Sequence, residues 1–294
     1  MMIDQSQLPQ PLSEVIEISQ TSMVRIKLDD TGNTLSLTDS KIGGLGYLPE
    51  HAIYPYTNAG KPLSLLVQIN FAQLADSVDI SQLAYPLPTS GILQIYIDAT
   101  DELYGADYDN PAQSDTYQVR FWQDHSAPVN TQTLQDTLLA QQAQMGDDEH
   151  YYAPFDIQRE IALKFINETQ SCSASCIEFG HYLKATDNNI ETSEFFDYLE
   201  SLNLEDEDSD TIHDVYNKLA NTGGHQILGY PYFTQTDPRK YKEASEQPIL
   251  LLQIDSDDAS NISWGDCGVA NFFITPLQLG NADFNQLIYN WDCY

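Results

Sequence analysis

The sequence predicts an α+β fold in which two related β-rich repeats form one pseudo-symmetric globular unit, with a helical insert between them. Two apolar segments with nearly the same pattern, "PLSLLVQIN" (residues 62–70) and "PILLLQID" (residues 248–255), each predict a buried strand. A turn rich in glycine and tyrosine precedes each of them, and segments with helical spacing fill the middle of the chain. Strands, then helices, then strands favour α+β over an alternating parallel sheet.

The spacing of matched residues indicates an internal duplication. The same separation of 185 residues relates three pairs: Gly44 and Gly229, Tyr47 and Tyr232, and Gln68 and Gln253. Downstream, "GILQIYID" (residues 91–98) and "GVANFFIT" (residues 268–275) match at a separation of 177. Stacked solenoids need about three or more repeats, so two copies favour a two-lobed domain. A glutamine at the end of each strand can tie it to a neighbouring loop or to the other repeat.

The first repeat is rich in strand signals. Residues 23–28 alternate well enough for an early strand, and "DDTGN" followed by "TLSL" predicts a hairpin. After the first buried strand, residues 92–98 and 116–122 each predict a strand, with an acidic loop between them.

The middle of the chain has helical character. Helices are predicted within residues 133–145, 156–168, 192–203 and 211–224, and an exposed loop over residues 205–210. We expect a single domain over residues 1–294, with repeat A at about 40–124, the helical insert at about 132–222 and repeat B at about 225–294.

The charge of the chain is strongly negative. The formal net charge is −32, from 44 acidic and 12 basic residues, and neither residues 62–119 nor residues 243–294 contain Lys or Arg. Such a surface repels nucleic acid and anionic membranes and attracts basic proteins or cations, although general solubility or salt adaptation explains the same composition. With no apolar run of about 18 residues and no signal-like start, we expect a cytoplasmic protein. Its four cysteines give no sign of an oxidising compartment.

Known cofactor and metal motifs do not fit the sequence. "GGLG" lacks the remaining residues of a phosphate-binding loop, and no nucleophile elbow is present. "DEDSDTIHDVYN" departs from a calcium loop at Thr211 and Asn217, although other acidic loops could collect calcium weakly. Cys172 and Cys176 lack the second ligand pair of a structural zinc site. We therefore expect no cofactor and no metal.

Candidate ligand-binding residues carry aromatic or polar side chains near strand ends: Tyr47, His225, Tyr232, Trp264 and Asp266. Each also has a structural interpretation. Trp264 can close the core while Asp266 caps a tight turn, and His225 beside two glycines is more often structural than catalytic.

The motifs "SKIGGLGYLP", "GILQIYID", "HQILGYPYFTQTDPR", "ISWGDCGVANFFI" and "YNWDCY" occur in this order. With them, the chain from about residue 40 to residue 294 resembles the bacterial YwqG-like family, whose function is unknown. The resemblance implies an α+β fold and supplies no activity or catalytic residue. Because members of such families also occur among toxin and immunity loci, it suggests a role in protein binding.

Two hypotheses for function follow. The first is a non-catalytic, protein-binding module, possibly of immunity type, that sequesters a basic partner through the acidic loop. Its candidate partner-binding residues are Asp98, Asp101, Asp107 and Asp109. The second is a small-molecule binder or enzyme with a pocket between the repeats, lined by Tyr47, Tyr232, Trp264 and Asp266. A purely structural role and any oligomeric state stay open.

Overall fold

The computed structural model describes residues 5–30, 32, 35–112, 115–145, 151–241 and 248–294. These residues form an α+β fold built on one large antiparallel sheet. Its ten strands are β1 (Thr21–Asp29), β2 (Lys41–Ile42), β3 (Ser64–Asn70), β4 (Ile92–Ile97), β5 (Tyr117–Trp122), β6 (Ile161–Gln170), β7 (Gln226–Ile227), β8 (Ile249–Asp255), β9 (Val269–Ile274) and β10 (Ile288–Asp292).

Seven α-helices accompany the sheet in the described part of the chain. They are α1 (Gln10–Ile18), α2 (Phe71–Ser77), α3 (Thr131–Met145), α4 (Phe179–Thr186), α5 (Phe195–Ser201), α6 (Asp206–Ala220) and α7 (Pro276–Gly280).

The strand order divides the sheet into two five-stranded halves. The order is β10-β9-β8-β7-β1-β6-β2-β3-β4-β5. Half A comprises β6 and β2 to β5, and half B comprises β1 and β7 to β10. The halves meet at the long β1–β6 pair, in which nine residues of β1 face nine of β6.

The same register recurs in the two halves. In half A, Lys41 faces Gln68, and in half B, Gln226 faces Gln253, so both partners are 185 residues further along. The β3–β4 pair carries an irregularity at Leu66 and the β8–β9 pair carries one at Leu251, again 185 residues apart. A bulge bends its strand and increases the local twist, so both halves curve at corresponding points.

The sheet curls around its main core, which brings its two ends together. The ring of Tyr117 on β5 lies 6.1 Å from that of Phe272 on β9 and 5.1 Å from that of Tyr289 on β10, measured between centroids. All three side chains are almost completely buried. Apolar contact across the curl therefore joins half A to half B, in addition to the β1–β6 pairing.

Smaller apolar clusters lie on the outside of the sheet. Leu134 of α3 packs with Leu65 and Tyr96 of half A. Phe233, Leu250 and Phe273 form the corresponding cluster of half B. Helices α1, α4, α5 and α6 share a separate core that includes Leu12, Leu183, Phe195 and Tyr216.

Three predicted elements differ from the structure. Residues 161–170 form the central strand β6, although a helix was predicted over 156–168; the burial of Ile161, Leu163 and Phe165 follows period two, and pairing with β1 decides the conformation. The predicted insert thus contains a strand. Residues 35–37 are not a strand, because β1 pairs with β6 and β7 instead of forming the predicted hairpin, part of which falls outside the described residues.

Helix α6 begins at Asp206, within the acidic stretch predicted to be a loop. Its first turn carries Asp206, Glu207 and Asp208. Carboxylates in the first turn of a helix interact favourably with the helix dipole, which explains why an acidic segment can begin a helix.

Membrane crossing was assessed for each helix of the described ranges. None combines the length and the apolar character that a membrane span requires.

Candidate functional site

The site grows from a buried amide network in each half of the sheet. In half A, Gln68 is fully buried, and its Oε1 accepts a hydrogen bond from the backbone N of Tyr47 at 3.0 Å. Its Nε2 donates to the carbonyl oxygens of Leu37 and Asp39 at 2.9 and 2.7 Å. Gln94 on β4 donates to the carbonyl oxygen of Tyr47 at 2.8 Å. Two side-chain amides thus fix the segment around Tyr47.

Half B repeats this network with residues further along the chain. The Oε1 of Gln253 accepts a hydrogen bond from the backbone N of Tyr232 at 2.9 Å, and its Nε2 donates to the carbonyl oxygens of Thr222 and Gly224. Asn271 on β9 donates to the carbonyl oxygen of Tyr232 at 2.9 Å. The prediction that the repeated glutamines tie strand ends to neighbouring loops is confirmed.

The two tyrosines differ in what covers them. Tyr47 is 1% exposed, and its hydroxyl donates to the carbonyl oxygen of Ala127 at 3.1 Å. The rings of Trp122 and His125 lie edge-on to the Tyr47 ring, at centroid distances of 6.4 and 6.3 Å. The segment that follows β5 therefore closes over Tyr47.

Tyr232 is half-buried and lies in an open groove. Two adjoining cavities of about 530 and 260 Å³ share Asn217, Tyr232 and Tyr294 in their walls. The hydroxyl oxygens of Tyr232 and Tyr294 are 3.1 Å apart, and Tyr294 is 73% exposed. We call these two cavities together the Tyr232 groove. One of the predicted ligand-binding residues thus lies at an accessible concave surface.

Acidic and aromatic side chains line the Tyr232 groove. The larger cavity is bordered by Asp214 of α6 and by Asp255 and Asp258, which follow β8. Asp214 and Asp258 are exposed, whereas burial raises the pKa of the Asp255 carboxyl. The smaller cavity is bordered by Phe196 of α5, which is 61% exposed.

His225 is held on both ring nitrogens. Its Nδ1 accepts a hydrogen bond from the backbone N of Asp255 at 3.1 Å, and its Nε2 lies 3.5 Å from Oδ2 of Asp257. At the corresponding place in half A, the hydroxyl of Ser40 accepts a hydrogen bond from the backbone N of Asn70 at 2.9 Å. Burial lowers the pKa of His225, so the ring stays neutral at pH 7. A serine can make the same bond, and this favours a structural role for His225.

Trp264 is fully buried, in contact with residues from a distant part of the chain. Its ring centroid is 5.5 Å from that of Tyr104 and 6.4 Å from that of Trp291. The hydroxyl of Tyr104 also accepts a hydrogen bond from the backbone N of Gly265 at 3.3 Å. Asp266 is exposed, and its carbonyl oxygen accepts a hydrogen bond from the backbone N of Tyr294. The aromatic wall predicted around Trp264 is therefore occupied by a side chain of the acidic loop.

The predicted partner-binding aspartates differ in exposure and in function. Asp98 is 7% exposed and accepts hydrogen bonds from the N and the hydroxyl of Thr100. Asp101 accepts a hydrogen bond from the backbone N of Gly105. Asp107 accepts hydrogen bonds from two backbone N–H groups further along the loop, and Asp109 is exposed. The first two aspartates therefore shape the loop, and Asp109 presents its charge to solvent.

Cys172 and Cys176 lie together in the helical core. Their sulfur atoms are 3.0 Å apart, and both residues are buried. Burial raises the pKa of both thiols, so they are protonated at pH 7. No group of three His, Cys, Asp or Glu side chains in the described residues has a metal-binding arrangement.

Four groove residues were not predicted from the sequence: Phe196, Asp214, Asp258 and Tyr294. They lie on separate elements, which only the folded chain brings together. The duplication offers one signal, since Tyr232 corresponds to Tyr47 and a comparison of their surroundings leads to the groove.

The family of the chain follows from comparison with known proteins. Residues 40–293 match the sequence model of a family described as a domain of unknown function (DUF1963). No curated protein matches the chain. The match spans both halves of the sheet and the helices between them. The chain therefore belongs to the DUF1963 family.

Proposed function

We propose that the protein is an acidic, non-catalytic binding module that captures a basic partner protein. An immunity-type role, in which the partner is sequestered, is part of this proposal. So are the resemblance to the YwqG-like family and the origin of the two halves in an internal duplication.

The arrangement of the cations carries the proposal. Seven basic side chains lie within ion-pair distance of carboxylates in the described residues: Arg25, Lys27, Lys41, Arg159, Lys164, Arg239 and Lys240. Lys41 is fully buried against Glu160 at 2.7 Å, and Arg239 is bound by both Asp237 and Glu178. Much of the positive charge is thus used within the fold, so the acidic excess of the chain is left facing solvent.

An uncompensated negative surface has a clear physical effect on association. It speeds the encounter with a positively charged partner and suppresses binding of anionic molecules. Nucleic acid is therefore an unfavourable partner, whereas a basic protein with a charged groove or tail is a favourable one.

The geometry gives less support to a small-molecule pocket between the repeats. Tyr47 contacts residues 122–127 in half A, Tyr232 borders the groove in half B, and Trp264 packs inside the core. These three residues have separate surroundings. His225, the candidate proton carrier, has both ring nitrogens engaged.

Affinity capture at two salt concentrations tests the proposal. The tagged protein is exposed to a lysate of cells that naturally produce it, first at about 50 mM and then at about 500 mM salt, and retained proteins are identified by mass spectrometry. We expect a basic protein that is retained at low salt and released at high salt. Purified, that protein should bind in a 1:1 titration. If no basic protein is retained at low salt, the proposal is wrong.

A further inference from the structure

The Tyr232 groove combines a negative wall with an aromatic wall. Asp214 and Asp258 are exposed at the larger cavity, and Tyr294 and Phe196 present exposed rings along the groove. Two cations, Lys218 and Lys240, also border it, and Lys240 is paired with Glu194 at 3.0 Å. The uncompensated charge of the groove is therefore negative.

Carboxylates beside aromatic rings are the surroundings that an arginine side chain prefers. A guanidinium group binds carboxylates with two parallel hydrogen bonds and stacks on aromatic faces, whereas an ammonium group is a more strongly hydrated point charge. The fold contains an example of this chemistry. Arg239 binds Glu178 through both terminal nitrogens at 2.9 Å, and its Cζ lies 5.3 Å from the centroid of the Phe273 ring.

The comparison with half A indicates what kind of occupant fits. Around Tyr47, a segment of the chain itself supplies two rings and a carbonyl group as cover. In half A, Trp122 also donates its ring N–H to Oε1 of Gln94 at 2.7 Å. In half B, Oδ1 of the corresponding Asn271 has no hydrogen-bond partner in the described residues, and Tyr232 faces the groove. An extended segment of a partner would fill the equivalent space.

We propose that the Tyr232 groove is the docking site for an arginine-bearing segment of a basic partner protein. This inference rests on the proposed function and assigns its binding surface. The rings of Phe196, Tyr232 and Tyr294 provide the stacking faces, and Asp214 and Asp258 provide the charge. The acidic loop around Asp107 and Asp109 contributes long-range attraction only.

Fluorescence anisotropy with two labelled peptides tests this assignment. The probes are ten-residue peptides that alternate glycine with arginine or with lysine, so they carry equal charge. The groove variant is Asp214→Asn with Asp258→Asn. The matched control, Asp107→Asn with Asp109→Asn, removes the same charge from the acidic loop. All four side chains are at least partly exposed, so we expect these variants to fold, which circular dichroism checks.

The expected results differ between the two pairs of substitutions. The groove variant should bind the arginine peptide about tenfold more weakly, and the loop variant no more than about twofold more weakly. Lys218→Ala should tighten binding, because it removes a positive charge from the groove wall. Phe196→Ala with Tyr294→Ala, which leaves the charge unchanged, should abolish the preference for arginine over lysine.

Two results would overturn the inference in distinguishable ways. Equal losses in the groove and loop variants would mean that binding is spread over the surface, which removes the docking site and leaves the proposed function standing. Failure of the unaltered protein to bind either peptide at about 50 mM salt would contradict the proposed function itself, and the docking site with it.

Discussion

Tyr47 and Tyr232 are held by the same backbone hydrogen bonds and yet have different surroundings. Gln68 and Gln253 each bond to one of these tyrosines and to two loop carbonyl oxygens. Tyr47 is closed over by the segment after β5, whereas Tyr232 borders an open groove. The shared bonds belong to the architecture of both halves. The difference in cover is what directs attention to half B as the binding half.

The largest expected effect concerns the bonds that the halves share. Gln68→Leu and Gln253→Leu each leave at least three buried backbone groups without a partner. Such groups cost about 1 to 3 kcal/mol each, so we expect both variants to lose about 3 kcal/mol or more of unfolding free energy. Urea denaturation followed by circular dichroism measures this. A loss below about 1 kcal/mol in either variant would show that the two networks are not equivalent.

The next effect should separate the halves. Tyr47→Ala removes a fully covered ring, and we expect it to cost about 3 to 5 kcal/mol of unfolding free energy. Tyr232→Ala removes a half-buried ring and should cost less than half as much, while it weakens binding of the arginine peptide. The same denaturation and anisotropy measurements apply to both. Equal losses of stability would mean that the two tyrosines are equally covered in solution.

The smallest effect is the pH dependence that His225 gives to half B. Burial lowers the pKa of its ring, so the unfolded chain binds a proton more readily than the folded chain. The stability that His225 contributes is complete above about pH 6.5 and is lost as the pH falls below it. His225→Ser introduces the residue that half A has at Ser40. The free-energy difference between the original protein and this variant should therefore shrink between pH 7.5 and pH 5.5, as measured by urea denaturation.

An unchanged difference across this pH range would contradict the assignment of a buried, neutral His225. A control variant, Ser40→Ala, removes the corresponding hydrogen bond in half A without a titrating group. Its stability relative to the original protein should not vary with pH.

The strands were predictable because their patterns are local. The apolar runs that become β3 and β8 are buried along nearly their whole length, and the equal spacing of Gln68 and Gln253 anticipated equal networks. The helix predicted over 156–168 was wrong, because the apolar residues of that stretch satisfy a strand pattern as well as a helical one. Its long pairing with β1, far away in the sequence, decides between them.

The candidate site was less predictable, for the same reason. Trp264 and the acidic loop were treated as separate candidates, but Tyr104 of that loop packs directly on Trp264. Tyr232 was identified, whereas Asp214 and Asp258 were not, because they join the groove from α6 and from the loop after β8. Contacts between distant segments leave no pattern in a single sequence.

Hydrogen–deuterium exchange of the protein with and without the arginine–glycine peptide tests the central claim most directly, because it examines both halves in one measurement. The account predicts that the peptide slows exchange in residues 213–218, 232–236 and 255–258, which border the groove, and leaves residues 44–50 and 122–127 around Tyr47 unchanged. Equal protection around both tyrosines, or protection confined to the acidic loop at residues 98–112, would contradict the assignment of half B as the binding half.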